Sequence, residues 1–377
     1  MQCRKIASNY LWTPSGFRPN PLVEVDHTGR IVSVESCTEP DRIAGTEFYA
    51  GILTPSFVNA HCHLELSYLQ GAIPQACGFA GFARTMGAVR DCASLSERQQ
   101  AMQRADNALW QSGCVAVGDV SNGDSSFEVK AASPLFYHTF VEFFGLRSLS
   151  ADSLRPLLLH PHTSLTPHSI YSVQDAPLCA ICAEGSAPLS IHFMESAAEA
   201  ALFDHRGDLW EWYKKVGFTC DFLHHGSPTQ RIIDSVPATR STLLVHACCC
   251  TDSDVKQLMD HFTAPLFWVL CPQSNQYISR TMPPVELLRA QGATICIGTD
   301  SLASNTNLSL LDELKTFRNI PLAELLGWAT LNGARALGVE QELGSVAVGK
   351  RCGLNLLSGL DYQQMSLTAQ SQVHRIL

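Results

Sequence analysis

The feature that most constrains this 377-residue chain is a repeated alternation of short apolar runs with amphipathic stretches. Eight runs recur: Phe57 to His63, Cys114 to Val120, Leu135 to Phe144, Ser164 to His168, Leu189 to Phe193, Thr242 to Ala247, Leu266 to Cys271 and Ala293 to Thr299. Several are followed by helical patterns, as in βα units that build a parallel sheet. The clearest helix is predicted to begin at Ser96, with Ser96 and Gln99 as a capping box, and carries Ala101, Met102, Ala105, Ala108 and Leu109 on one face before Gly113 ends it. Eight strands with intervening helices favour a closed (β/α)8 TIM barrel of the α/β class over an open doubly wound sheet.

A barrel alone takes about 250 residues, so the chain has room for one barrel and a small accessory layer. The Gly- and Pro-punctuated stretch to Leu53 reads as short strands, among them Leu22 to Val25 and Ile31 to Val34, and Gly344 to Leu357 reads similarly. The expected organisation is a composite β domain from residues 1–53 and 340–377, in which the two ends pair, beside a metal-dependent hydrolase barrel over residues 54–339.

Composition narrows the function. Asp and Glu number 35 against 26 Lys and Arg, a net charge of -9, so there is no basic stripe for a polymeric nucleic acid. No stretch reaches the roughly 20 apolar residues of a membrane span, and the N-terminus lacks the apolar core of a signal peptide, so a cytoplasmic protein is expected. The fifteen cysteines, with Cys248, Cys249 and Cys250 adjacent, read as reduced thiols acting as small hydrophobes. Cys179 and Cys182 read as one buried helix face.

The strongest local signal is Asn59-Ala-His61-Cys-His63-Leu-Glu65 at the end of the first run. Residues two apart on a strand share a face, so both imidazoles can enter one cavity while Cys62 points away. His192 and Glu195 follow at the end of the fifth run, His246 ends the sixth, and Asp300 follows the eighth. Taken singly, Asp300 reads as a helix cap, His246 as a core histidine and Glu195 as a first-turn acid. Together they stand at strand ends that a parallel barrel brings to one face. Three imidazoles and a carboxylate suit one divalent cation, Zn²⁺ or Fe²⁺, with an open position for water.

Six segments then resemble the amidohydrolase superfamily, in its mononuclear adenosine- and cytosine-deaminase-like branch: Thr54 to His63, Thr166 to Val173, His192 to Ser196, Leu244 to Ala247, Cys271 to Asn275 and Gly298 to Ser301. His63-Leu-Glu-Leu-Ser67 and Gly298 to Asn305 look most like the aminodeoxyfutalosine and S-adenosylhomocysteine deaminases. The resemblance implies His61, His63, His192 and Asp300 as metal ligands, Glu195 as proton shuttle, His246 as the residue that orients water or substrate, and a homodimer. A small nucleoside-like partner follows from the same likeness.

Polar groups near the expected mouth are Glu65, His168, Ser274 and Asn275, with Arg84 and Arg147 as the available cations for a substrate carboxylate. Glu142, on the third run, offers either a bridge to a second ion or a buried structural carboxylate, the latter favoured. The expected reaction is hydrolytic deamination of a purine-like ring, first 6-amino-6-deoxyfutalosine, with release of ammonia. The rivals are a cyclic amidase or a hydrolase of chloro- or alkylamino-heteroaromatic rings, and a non-catalytic binding protein. No Gly-x-Ser-x-Gly or Walker sequence supports a serine nucleophile or a phosphate loop.

Overall fold

A computed structural model describes residues 3–39, 43–147 and 150–377. Near the N-terminus run β1 (Arg4–Thr13), β2 (Gly16–Pro19), β3 (Pro21–Val25), β4 (Ile31–Ser36) and β5 (Thr46–Thr54), the last parallel to β1. Then come the eight strands that carry the site: β6 (Phe57–Cys62), β7 (Cys114–Ser121), β8 (Phe136–Phe143), β9 (Thr163–Pro167), β10 (Leu189–Phe193), β11 (Thr242–His246), β12 (Leu266–Leu270) and β13 (Thr294–Ile297). Two C-terminal strands, β14 (Asn355–Ser358) and β15 (Gln372–Arg375), close the list.

All eight apolar runs are strands. They are apolar throughout because both faces are covered. On β11, Leu243 and Val245 pack in one cluster and Leu244 in another; on β12, Phe267 and Val269 part in the same way from Trp268 and Leu270. The strands form two parallel four-stranded sheets, β6-β7-β8-β9 and β10-β11-β12-β13. At one seam Ser169 bridges His192, and at the other Cys62 bridges Asp300. The architecture is α/β with parallel strands, and the continuous ladder of a closed sheet is replaced at both seams by these single bridges.

The helix that leads into β7 is Leu95–Gln111, and its cap corrects the expected one. Ser94, not Ser96, accepts from the Glu97 backbone, while the Glu97 carboxylate accepts from the Ser94 backbone and hydroxyl at 2.8 and 2.7 Å. A carboxylate makes a stronger cap acceptor than the Gln99 amide. Ala101, Met102, Ala105 and Leu109 are buried, but Ala108 is exposed.

The chain ends meet in one sheet ordered β15-β14-β5-β1-β3-β4, with β2 on β1. β14 runs antiparallel to β5, Leu356 opposite Leu53. Ile6, Leu11, Val23, Leu53 and Leu354 fill its core. The strand expected over residues 344–357 is confined to β14, because Gly349 and Gly353 take positive φ of 91° and 61° that break an extended run. Among the described residues no helix is long and apolar enough to cross a membrane.

Candidate metal centre and active site

The C-terminal ends of β6, β10, β11 and β13 converge. His63 Nε2 lies 3.2 Å from His61 Nε2 and 3.2 Å from His192 Nε2, and Asp300 Oδ1 stands 3.8 Å from His61 Nε2 and 3.6 Å from His63 Nε2. The seam is stitched by backbone: Thr299 and Asp300 N–H both donate to the His61 carbonyl, and Asn59 Nδ2 donates to Thr299 Oγ1 at 2.8 Å. Gly298 is required for this approach, since a Cβ there would lie 2.8 Å from both the Cβ and the carbonyl oxygen of His61. Cys62 points away into the outer core, as the strand period dictates.

Three properties of the cluster fit a cation. Burial drives the His61 and His192 imidazoles down from their ordinary range, so their ring nitrogens offer lone pairs. His192 Nδ1 donates to the His168 carbonyl at 2.9 Å, which fixes the tautomer with Nε2 free. Asp300 Oδ2 accepts from Ser274 and Ser304 hydroxyls at 2.6 and 2.8 Å, leaving Oδ1 toward the imidazoles. Lone pairs and a carboxylate oxygen packed this closely repel one another unless a positive charge stands between them. The donor set His61, His63, His192 and Asp300 therefore fits a divalent metal.

The backbone is strained at the same place. Met194, His246, Ala247 and Asp300, none of them glycine, take φ of 49°, 79°, 53° and 57° at the ends of β10, β11 and β13. Each such residue costs of order 1–3 kcal/mol and persists where surrounding bonds over-determine it. Here they aim Glu195, His246 and Asp300 inward.

Glu195 Oε1 is 3.9 Å from His246 Nε2. Burial, with the nearby Asp300 and Glu199 carboxylates, pushes its carboxyl well above the ordinary range. Glu199 in turn accepts from the Met194 and Glu195 backbone N–H groups at 2.8 and 2.6 Å, which holds the turn that presents Glu195. His246 Nδ1 is 3.0 Å from Asn275 Nδ2.

These groups stand at the floor of a cavity of about 390 Å³. Its apolar lining is built from Phe79, Phe82, Met86, Leu209, Trp212 and Phe218, and its polar lining includes Arg90, Asn122, Glu142 and His168. His168 stacks on His192 with ring centroids 4.6 Å apart and bonds Ser172 Oγ at 2.7 Å. Tyr171 also lines the cavity. Glu65 is buried, accepts twice from Asn122 N at 3.1 Å, and burial raises its carboxyl to about 7. Asn122 Nδ2 also donates to Glu142 at 2.8 Å, and buried Glu142 lies 3.6 Å from His192 Nδ1.

Five residues expected from sequence as substrate contacts do not line the cavity, and the first of them, Glu65, is instead held on the Asn122 backbone. Arg84 is exposed on the helix Gly78–Val89, on the side away from Phe79, Phe82 and Met86. Arg147 donates to the Val216 carbonyl at 2.9 Å and lies over Phe218, so it braces a wall residue instead of lining the wall. Ser274 and Asn275 sit behind Asp300 and His246. The cation that does line the cavity is Arg90, whose Nη2 donates to Asn122 Oδ1 at 2.8 Å. Its signal was present: residues 79, 83, 86 and 90 mark one helical face. Cys179 is exposed while Cys182 is buried, so the two do not share a buried face.

Fold and site together define a hydrolase built around a divalent cation at the carboxyl ends of parallel strands. Residues 52–373 match the Amidohydrolase family, and the chain belongs to it; it is a hydrolase acting on carbon–nitrogen bonds. It is 30% identical over 332 residues to an adenosine deaminase of Helicobacter pylori, covering 82% of this chain and 79% of the relative. It is 24% identical over 332 residues to an aminodeoxyfutalosine deaminase of Nitratiruptor sp., covering 81% and 78%. The crystal structure of Helicobacter pylori aminofutalosine deaminase with methylthio-coformycin superposes with a TM-score of 0.79 at 26% identity, over 97% of this chain and 93% of that one.

Proposed function

We propose that the protein deaminates an adenine nucleoside with a bulky 5′ substituent, 6-amino-6-deoxyfutalosine first, then S-adenosylhomocysteine and 5′-methylthioadenosine. The observation that carries this is the placement of the proton-holding Glu195 beside a cation-binding cluster on the floor of a cavity with an aromatic wall. Relatives named adenosine deaminase and aminodeoxyfutalosine deaminase, and the superposed aminofutalosine deaminase that holds methylthio-coformycin, support the reading. We take the eight strands as one barrel over residues 54–339, with residues 1–53 and 340–377 as the composite β domain, and Zn²⁺ as the resident metal, Fe²⁺ being the other ion that suits the donors.

A divalent metal held by His61, His63, His192 and Asp300 would supply a nucleophilic water by lowering that water's pKa toward about 7. The chain's own groups do the rest. Glu195, kept protonated by burial once it has taken the water's proton, delivers it to a purine ring nitrogen as the water oxygen adds to the amine-bearing carbon. His246 Nε2 donates a hydrogen bond to the incoming oxygen, and Asp300 Oδ1 accepts a hydrogen bond from it. Glu195, again a carboxylate, takes the remaining proton of the added hydroxyl and hands it to the amine nitrogen as the carbonyl forms, so the C–N bond breaks and ammonia leaves. The aromatic wall excludes bulk water and packs the 5′ substituent, and Arg90 meets a carboxylate at its end.

Glu195→Gln tests this assignment. The variant is expected to fold and hold metal while turnover falls by at least the ~10² that general acid–base catalysis contributes. Unchanged turnover would assign the proton transfer elsewhere.

A further inference from the structure

A second cluster of ligand-type side chains lies away from the site just described. The 3-10 helix Asp221–His225 ends in two adjacent histidines and is closed by Gly226 at φ 77°. Asp175, the first residue of the helix Asp175–Ala183, faces them, and one ligand atom from each of Asp175, His224 and His225 falls within 4.8 Å of the others.

The three groups are held in particular states. Arg231, fully buried, donates to Asp175 Oδ1 at 2.8 Å, which leaves Oδ2 toward the two histidines. His225 Nδ1 donates to Asp234 Oδ2 at 2.7 Å, which puts the lone pair on Nε2. That Nε2 belongs to a side chain 10% exposed, has no hydrogen-bond partner, and lies 3.3 Å from Asp175 Oδ2. A buried lone pair facing a carboxylate oxygen without a hydrogen bond is costly. Two ligands each about 2.0–2.1 Å from a tetrahedral Zn²⁺ lie roughly 3.3 Å apart, so the spacing suits a shared cation. His224 Nδ1 is 3.6 Å from Asp175 Oδ2 and 2.7 Å from the Asp221 carbonyl, and its ring is exposed, so an ion is met by this side chain only when the ring turns a bare nitrogen toward it. The Asp234–His225 pair reproduces the carboxylate-to-imidazole support that metal-bound histidines use.

We propose that Asp175, His224 and His225 form a second, surface site for a borderline transition-metal cation such as Zn²⁺, with solvent completing the coordination. The ion ties the helix that follows β9 to the segment that follows β10. That segment includes Trp212, Tyr213 and Phe218, which wall the active-site cavity, so the ion braces the wall from outside.

The test is metal content of the full-length protein, stripped with chelator and re-equilibrated with micromolar Zn²⁺ by dialysis. The wild type is expected to retain about two ions per chain, His225→Ala and His224→Ala about one each, and the double variant His61→Ala/His63→Ala about one. The exposed His224 serves as the control against a folding defect at His225. Retention of one ion by the wild type and none by the His61/His63 variant overturns the second site and leaves the catalytic centre standing. One ion in the wild type, kept in the His61/His63 variant and lost in His225→Ala, keeps the second site and removes the catalytic assignment. An NMR titration in which His225 carries protons on both nitrogens at neutral pH with Zn²⁺ present would also overturn the proposal.

Discussion

Asn275 Nδ2 donates to His246 Nδ1 across 3.0 Å, so the ring proton of His246 sits on Nε2, the nitrogen that faces Glu195 Oε1 at 3.9 Å. A residue selected from sequence as a substrate contact thus acts on substrate through its neighbour. Asn275→Ala removes a hydrogen bond with a net value of about 1 kcal/mol, which corresponds to a roughly five- to tenfold loss of kcat. Metal content should not change. A rise in KM at constant kcat would return Asn275 to direct substrate binding.

Arg90 and Arg84 provide a paired comparison. Arg90 lines the cavity and Arg84 does not. Arg90→Met is expected to lower kcat/KM about tenfold or more for a nucleoside ending in a carboxylate, the loss of one charge-assisted contact, while 5′-methylthioadenosine is affected less. Arg84→Ala should leave both substrates unchanged. Equal losses on the charged and neutral substrates in Arg90→Met would show that the guanidinium acts only through Asn122 and Glu65.

The loop that carries His63 depends on a buried ion pair. Lys130 Nζ lies 2.5 Å from Asp119 Oδ2, with both side chains buried, and Asp119 Oδ1 accepts from the Leu64 backbone at 2.7 Å. Lys130→Met leaves the Asp119 charge uncompensated, a change that typically costs about 3–5 kcal/mol. Thermal unfolding should shift to clearly lower temperature, and an unchanged Tm would mean that the pair contributes nothing.

The eight parallel strands were legible because burial on both faces makes each an unbroken apolar run, and their ends named His61, His63, His192, His246, Glu195 and Asp300 as one group. β1 and β5 were not, since their pairing joins Lys5 to Thr46 and Leu11 to Leu53 across intervening strands and leaves no local pattern. The helix starting at Ser94 offered two overlapping Ser-x-x-Glu/Gln spacings, and only the geometry of the extended Ser94 backbone separates them. Ser274 and Asn275 are adjacent on one helix turn, where spacing cannot tell a group aimed at substrate from one aimed at Asp300 or His246.

The most direct test of the central claim is ammonia release by the metal-loaded protein across a panel of 6-amino-6-deoxyfutalosine, S-adenosylhomocysteine, 5′-methylthioadenosine, adenosine, free adenine, cytosine, guanine and a chlorinated triazine. The account predicts the highest kcat/KM for a 5′-substituted adenine nucleoside. A free base or the triazine turning over faster than every nucleoside would contradict it.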